Sequence, residues 1–187
     1  MMRMRLFGTL LASTLAVAGI AATAAFAQQG QQQPISALKG HDSNAPVDVT
    51  ADRIEVQDRA DRAIFVGNVH VKQAELALDT ERLTIAYSGG PSSNAGVQIR
   101  RLDAAGGVVV RSPSETAKGD FGIYDLDRKL ITLIGNVQLT RQNDQVNGAR
   151  LVIDLDSGRA VIDGGPPGVN QSGGRVTGHF TVPQKQQ

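Results

Sequence analysis

The segment AIFVGNVHVKQAELALDTERLTIAY, residues 63–87, decides the fold, because its apolar residues fall on every second position on either side of Gly-Asn-Val. Two-residue spacing is the side-chain period of a β-strand, whose alternate residues lie on opposite faces. A weaker copy, LITLIGNVQLTRQNDQVNGARLVIDL, follows at residues 130–155, with its Gly-Asn-Val 68 positions after the first. The repeat predicts that copies of one β unit build a sheet with an apolar face.

The rest of the chain extends this pattern without any sustained helical period. Short alternating pieces separated by turn residues predict an all-β protein with ten to sixteen strands in an antiparallel sandwich or roll. The Gly-Asn pairs are either hairpin turns or bends. The alternation runs through Gly67 and Gly135 without a phase slip, which favours continuous strands bent at glycine. Asn147-Gly148 is the strongest short hairpin signal.

The N-terminus has the features of an export signal. Arg3 and Arg5 precede an uncharged apolar run from Leu6 to Phe26, and Ala-Phe-Ala at 25–27 supplies small residues for a peptidase. We therefore predict a cleavable signal peptide over residues 1–27 and a periplasmic location. The competing interpretation is a retained membrane anchor, since the run is near the length that spans a bilayer.

The remaining residues divide into three parts. Residues 28–45 are rich in Gln and Gly, and this composition predicts a flexible leader. Residues 46–183 hold the alternating segments and form one predicted β-roll domain, and residues 184–187 are a polar tail. The 187-residue chain is long enough for one domain with a proper core.

Composition excludes several classes of protein. The chain has no cysteine, so an exported domain must be stabilised by burial and backbone hydrogen bonds. The formal charge is +1, and loss of two arginines with the signal peptide makes it −1. Charges of both signs are interspersed on the polar positions of the strands, which differs from the concentrated basic surface of a nucleic-acid-binding protein.

Candidate catalytic and metal-binding sets are missing from the sequence. The histidines, His41, His70 and His179, are scattered and lack the Cys or Glu spacing of a metal site. No nucleophile elbow or phosphate-binding glycine loop occurs. We therefore predict a protein that is not an enzyme, with no catalytic residue, metal or cofactor. A β-roll hydrolase is disfavoured because no acid and base pair can be named.

The apolar face has two interpretations. It is either the sealed core of a structural β-sandwich or the wall of a lipid-binding groove. Aromatic residues make up only 4% of the chain, and the alternating apolar residues are mostly Val, Ile and Leu. Smooth aliphatic walls suit acyl chains, because each buried CH₂ contributes about 0.8 kcal/mol without requiring a hydrogen bond.

The order of the motifs resembles one known family. PVDVTADRIEVQDRADRAIFVGNVHVKQAELALDTERLTIAYSGG resembles the opening half of the periplasmic lipopolysaccharide-transport bridge proteins, the LptA or OstA-like family. AAGGVVV, AKGDFGIYDL, ITLIGNVQL, NGARLVIDL and RVTGHFTVP then follow in the family's order. The similarity covers about residues 45–183. The sequence departs from some relatives in its Gln-rich leader and in its Gly/Pro-rich loop at 164–174.

The resemblance implies a fold and a function. The fold is an elongated antiparallel two-sheet β-roll, the OstA-like β-jellyroll, open at both ends. The function is to carry lipopolysaccharide from an inner-membrane extraction complex to an outer-membrane insertion complex. A membrane-anchored relative that receives lipid at the inner membrane is the alternative within the family. The expected lipid-binding residues are Val47, Val49, Ile54, Val56, Phe65, Val69, Val71, Leu76, Leu78, Val109, Tyr124, Leu126 and Leu133.

The two ends of such a roll predict self-assembly. A first strand around Val47 to Thr50 and a last strand around Arg175 to Val182 would leave backbone groups unpaired. Exposed strand edges are templates for another chain. We therefore expect head-to-tail pairing of the last strand with the first strand of the next molecule, giving a homo-oligomer of variable length.

Overall fold

The computed structural model describes Leu38 and residues 41–89, 96–165 and 174–182. The predicted signal peptide over 1–27, most of the predicted leader over 28–45 and the predicted tail over 184–187 lie outside these residues. No helix in the described ranges is long and apolar enough to cross a membrane.

The described residues form ten strands and one short 3₁₀ turn at Asp58–Ala60, which confirms the all-β prediction. Their alternating sequence accounts for this, because apolar side chains at every second position give the central strands one buried face. The strands are β1 (Val47–Thr50), β2 (Arg53–Gln57), β3 (Arg62–Gln73), β4 (Leu76–Ser88), β5 (Gln98–Arg111), β6 (Glu115–Asp125), β7 (Leu130–Arg141), β8 (Asp144–Asp154), β9 (Arg159–Asp163) and β10 (Thr177–His179).

The strands pair antiparallel throughout, in an arrangement that leaves two open edges. β3 to β8 follow one another in chain order across the sheet. β1 and β2 both pair with β3, and β9 and β10 both pair with β8. The sheet is therefore not closed into a barrel, and β1 with β2 forms one edge while β9 with β10 forms the other. This agrees with the predicted open β-jellyroll.

A line of β-bulges crosses the sheet. The pairing register shifts within β3, β5 and β7 at Gly67-Asn68, Gly106-Gly107 and Gly135-Asn136. Both residues of each pair have positive φ. Such bulges bend and twist a strand while the strand continues on both sides. We call these three pairs the bend line. It shows that the Gly-Asn pairs are bends within continuous strands and not hairpin turns.

The bend line divides the sheet into two layers whose inner faces pack together. The β2–β9 layer comprises residues 53–66, 82–88, 98–105, 121–134 and 150–163, and the β1–β10 layer comprises residues 47–50, 69–80, 108–119, 137–148 and 177–179. Leucines from both layers, including Leu78 and Leu133, belong to one cluster of buried side chains. The core therefore lies between two halves of one folded sheet.

The predicted turn at Asn147-Gly148 is wrong. Both residues lie inside β8, and the turn between β7 and β8 is Gln142-Asn143, because Arg141 pairs with Asp144. A Cβ atom on Gly148 would lie 2.4 Å from Cγ2 of Ile162. Glycine is therefore needed at this position for the close approach of β9, a reason that the local sequence does not contain.

Candidate functional site

The inner faces of the layers carry continuous rows of apolar side chains across the strands. Each row takes one residue from each strand that it crosses, because the antiparallel register places inward residues opposite one another. Two full rows line the β2–β9 layer: Ile54, Phe65, Leu83, Ala104, Gly122, Leu133, Leu151 and Ile162, and then Val56, Ala63, Ile85, Leu102, Tyr124, Ile131, Ile153 and Ala160.

The facing layer has a matching row, which starts on the first strand and ends on the last. Its members are Val49, Val71, Leu78, Val110, Ala117, Leu139, Val146 and Gly178. Polar atoms are almost absent from these side chains, the Tyr124 hydroxyl being the exception. The resulting surface can bind aliphatic groups but has few groups for chemical selectivity or catalysis.

Twelve of the thirteen residues predicted to bind lipid belong to the inner face or pack against its core. The buried ones are Val69, Val71, Leu76, Leu78, Tyr124 and Leu133. Those packed partly against the core are Val47, Val49, Phe65 and Leu126. Ile54 and Val56 continue the inner rows on β2, where they are 55% and 57% exposed because no strand lies beyond them. The inner apolar surface is therefore uncovered at this edge.

Val109 lies on the opposite face, so its predicted place on the wall is wrong. It is only partly buried, and it pairs with Asp79 on one side and Lys118 on the other. Its neighbours Val108 and Val110 are the inward residues, at 0% and 3% exposure. Three consecutive valines have no alternation from which to choose a face, although Leu102 and Ala104 before the bulge share the parity of the inward Val108 and Val110.

The two layers are in close contact. Between Val71 and Leu78 on one layer and Leu102 and Tyr124 on the other, the remaining cavity has a volume of about 10 Å³. A second gap, beside Leu139 and Ile153, is of the same size. Each gap holds at most about one water molecule. Lipid between the layers would therefore require them to separate.

One end of the predicted leader packs onto this interior. Leu38 is 5% exposed and belongs to the core cluster. Gln73, only 2% exposed, donates from Nε2 to the carbonyl oxygens of Ser43 and Ala45, both at 3.0 Å. We call Leu38 and residues 41–45 the strap. The isolated leucine was its only sequence signal, in a segment whose composition predicts flexibility.

The polar groups at the strap meet Tyr124, the one polar side chain in the three apolar rows. Nε2 of His41 lies 3.1 Å from Oε1 of Gln73, and its ring centre is 6.5 Å from that of Tyr124. Burial raises the pKa of Tyr124, and the nearby Ser43 hydroxyl opposes this rise. Tyr124 therefore stays neutral over the physiological range, which suits its place among aliphatic side chains.

The outer face carries charged side chains, several of which pair with one another, together with a few exposed apolar ones such as Phe121. His70 and Arg111 both contact the carboxylate of Asp79 on β4. His179 lies on the edge strand β10. Within the described ranges, no three side chains of the types that ligate metals come together. The predicted opposition of Tyr124 and His70 holds in the structure, with one buried and the other exposed.

Comparison with known proteins gives a consistent result. A family model described as LptA/(LptD N-terminal domain) LPS transport protein matches residues 48–159. An uncharacterized protein of Rhizobium meliloti (strain 1021) is 29% identical over 158 residues, which are 82% of this chain and 85% of that protein. The fold is also similar to the crystal structure of LptH, the LptA homologous periplasmic component of the lipopolysaccharide transport device of Pseudomonas aeruginosa. That match has a TM-score of 0.65 at 17% identity and covers 76% of this chain and 99% of LptH.

Proposed function

Because this chain belongs to the LptA and LptD N-terminal-domain family of lipopolysaccharide transport proteins, we propose that it is a periplasmic bridge that binds lipopolysaccharide between its two layers. In this proposal it passes the lipid from an inner-membrane extraction complex to an outer-membrane insertion complex. The observation that carries the proposal is the continuity of the inner apolar rows from one open edge of the sheet to the other.

Aliphatic walls fit a carrier that must also release its cargo. An acyl chain offers nothing to hydrogen-bond, so it gains about 0.8 kcal/mol for each CH₂ removed from water. A chain of about a dozen carbons would gain on the order of 5–10 kcal/mol before the cost of ordering it. This gain does not depend on position along the wall, so the lipid slides without losing its binding energy. No bond changes in the lipid, and energy for movement comes from the membrane partners.

The directions of the edge strands support stacking of one copy on another. Every neighbouring pair in the sheet is antiparallel, so β2 and β9 run in opposite directions, and so do β1 and β10. When β9 and β10 of one molecule pair with β2 and β1 of the next, the antiparallel alternation continues across both junctions. A contact of this kind repeats without closing and gives filaments.

The register of the contact between two copies follows when each row of paired residues is continued from the last strand of one copy onto the first strand of the next. Arg53 and Asp163 end the same outward row, so in a stack Asp163 faces Arg53 of the next copy. On the other layer, Asp48 and His179 end another outward row. On the inner face, Ile162 then meets Ile54. The oppositely charged Asp163 and Arg53 on the outer face, and the apolar Ile162 and Ile54 on the inner face, favour this register over a shift by one residue.

The second candidate is a structural sandwich with a sealed core, which the close packing of the layers favours. The two functions differ in whether the protein carries lipid. We expect the protein purified from its native envelope without strong detergent to contain lipopolysaccharide, detected by mass spectrometry and by silver staining. Absence of any lipid from such preparations would favour the sealed sandwich. An N-terminus starting at residue 1 or 2 in the same spectra would instead identify the membrane-anchored relative.

A further inference from the structure

The seat of Leu38 is a mainly aliphatic pocket shared by the two layers. Its wall consists of Val110, Ala117 and Leu139 from the β1–β10 layer and Ile153 from the β2–β9 layer, together with two polar residues, Ser112 and the buried Glu115. Leu38 is 5% exposed in this seat, and the space left beside it is about 10 Å³. A single leucine from outside the sheet therefore fills a pocket that both layers line.

Hydrogen bonds attach the strap to Gln73, the last residue of β3. Both carbonyl oxygens that accept from Gln73 belong to the strap, and His41 of the strap contacts the same amide. Gln73 is the inward residue two positions after Val71, so a polar side chain stands where the strand pattern would place an apolar one. Burying an amide is costly unless it is hydrogen-bonded, and the strap supplies its partners.

We infer that the seat of Leu38 is an alkyl-chain subsite, which the strap occupies until a lipid chain displaces it. This inference rests on the proposed function and adds the place where an acyl chain first enters. An alkyl chain suits a seat lined by aliphatic groups, because the attraction there is non-directional. A chain longer than the leucine side chain buries more apolar surface, so it can compete for the seat. Release of the strap also lets the two layers separate.

The absence of cysteine from the chain allows a direct measurement of strap release. In Leu38→Cys, the thiol is buried, and we expect its alkylation by iodoacetamide to be at least tenfold slower than that of Asn44→Cys, whose side chain is exposed on the same segment. Purified lipopolysaccharide should accelerate alkylation of the Leu38→Cys protein at least fivefold and leave that of the Asn44→Cys protein unchanged.

A second variant measures competition without relying on a buried thiol. Leu38→Asp removes the apolar occupant, so lipopolysaccharide no longer has to displace it, and we expect binding about tenfold tighter than in the unmodified protein. The control is Asn44→Ala, which changes an exposed side chain of the strap and should bind as the unmodified protein does. A circular-dichroism spectrum and a melting curve establish that each variant is folded.

The outcomes separate the inference from the proposed function. Lipid binding that is equal in the Leu38→Asp and unmodified proteins, with no lipid effect on alkylation, would overturn the subsite and leave the proposed function intact. Failure of all the folded proteins to bind lipopolysaccharide would overturn the proposed function, and the inference with it. Faster alkylation and tighter binding together would support both.

Discussion

The carboxylate of Asp120 on β6 accepts a 2.8 Å hydrogen bond from Nδ2 of Asn136 on β7. The same relationship joins Asp52 and Asn68, at 3.0 Å, in the first copy of the repeat. Each acidic residue also lies against the glycine before its asparagine, where a Cβ atom would be 2.4 Å from the carboxylate oxygen. The repeat seen in the sequence is therefore a repeat of a bend, made of a glycine, an asparagine and an aspartate from a neighbouring segment.

The bend predicts a difference between two glycine substitutions. Gly107→Ala places a Cβ at positive φ with nothing within 4 Å, so we expect a loss of about 1–2 kcal/mol in the free energy of unfolding. Gly135→Ala likewise places a Cβ at positive φ but also displaces Asp120 from Asn136, which adds about 1 kcal/mol. Urea unfolding of both variants measures the difference. Equal losses would show that the aspartate contact adds nothing to the bend.

The two faces of the sheet predict different contact with lipid. A photoreactive amino acid at the inward position Tyr124 should capture lipopolysaccharide in living cells. The same amino acid at His70, on the exposed face, should not. Immunoblots for lipopolysaccharide on the purified protein give the measurement. Equal capture at both positions would contradict the assignment of the inner face as the lipid wall.

The proposed register predicts the effect of exchanging charges at the junction. Asp163→Arg alone and Arg53→Asp alone each bring like charges together, so average mass in light scattering should rise less with concentration than for the unmodified protein. The double variant carries both exchanges and restores opposite charges at every junction, so assembly should recover. Since surface pairs contribute only about 0–1 kcal/mol each, the effect should weaken in high salt. No recovery in the double variant would refute this register.

The last strand predicts a truncation phenotype. Phe180 and Val182, which follow β10, are 65% and 82% exposed, so both are accessible to another surface. Deletion of residues 175–187 removes one of the two strands on the C-terminal edge and should abolish assembly while the other strands stay folded. Light scattering and circular dichroism measure the two properties. A truncated protein whose mass still rises with concentration would exclude this strand from the contact.

The turn after β8 predicts a local dependence on acid. Hydrogen bonds from Ser157, backbone and side chain, lower the pKa of Asp154, with further help from the Asp156 N–H and the nearby Arg159. A carboxyl group with a lowered pKa in the folded state adds stability above its unfolded pKa, and this stability is lost as the pH falls through the folded value. Asp154→Asn should therefore be less stable at neutral pH and equal to the unmodified protein in strong acid. A stability difference that persists unchanged in acid would contradict this.

The fold could be predicted from sequence because its information is local. The alternation in β3 and β4 identifies the inner face directly, and Gly67 with Gly135 marks two of the bends. The partners of those bends could not be found in this way, because Asp52 and Asp120 come from neighbouring strands or segments. The offset of 68 positions between the two aspartates, equal to that between the glycines, was the available signal.

The site was less predictable, because it depends on distant contacts. Val109 was assigned to the wrong face because it lies in a run of three valines, and Gly148 was taken for a turn although its role is to admit Ile162. Leu38 has no pattern around it, and only the folded sheet shows what one apolar residue in a polar segment contacts. Composition predicts how a segment behaves in isolation. It could not predict the position of the strap, because the strap is held by groups elsewhere in the chain, such as Gln73.

Under the proposed function, the bend line also sets what kind of cargo the protein accommodates. The strands β3, β5 and β7 join the two layers along this line, and the strap contacts both layers away from it. The two layers are thus hinged on one side. In this proposal a bound amphiphile places its fatty part between the layers and leaves its sugar outside, on the side opposite the hinge. In the proposed stack of copies, these open sides form one slot, so the length of the sugar sets no limit on transport.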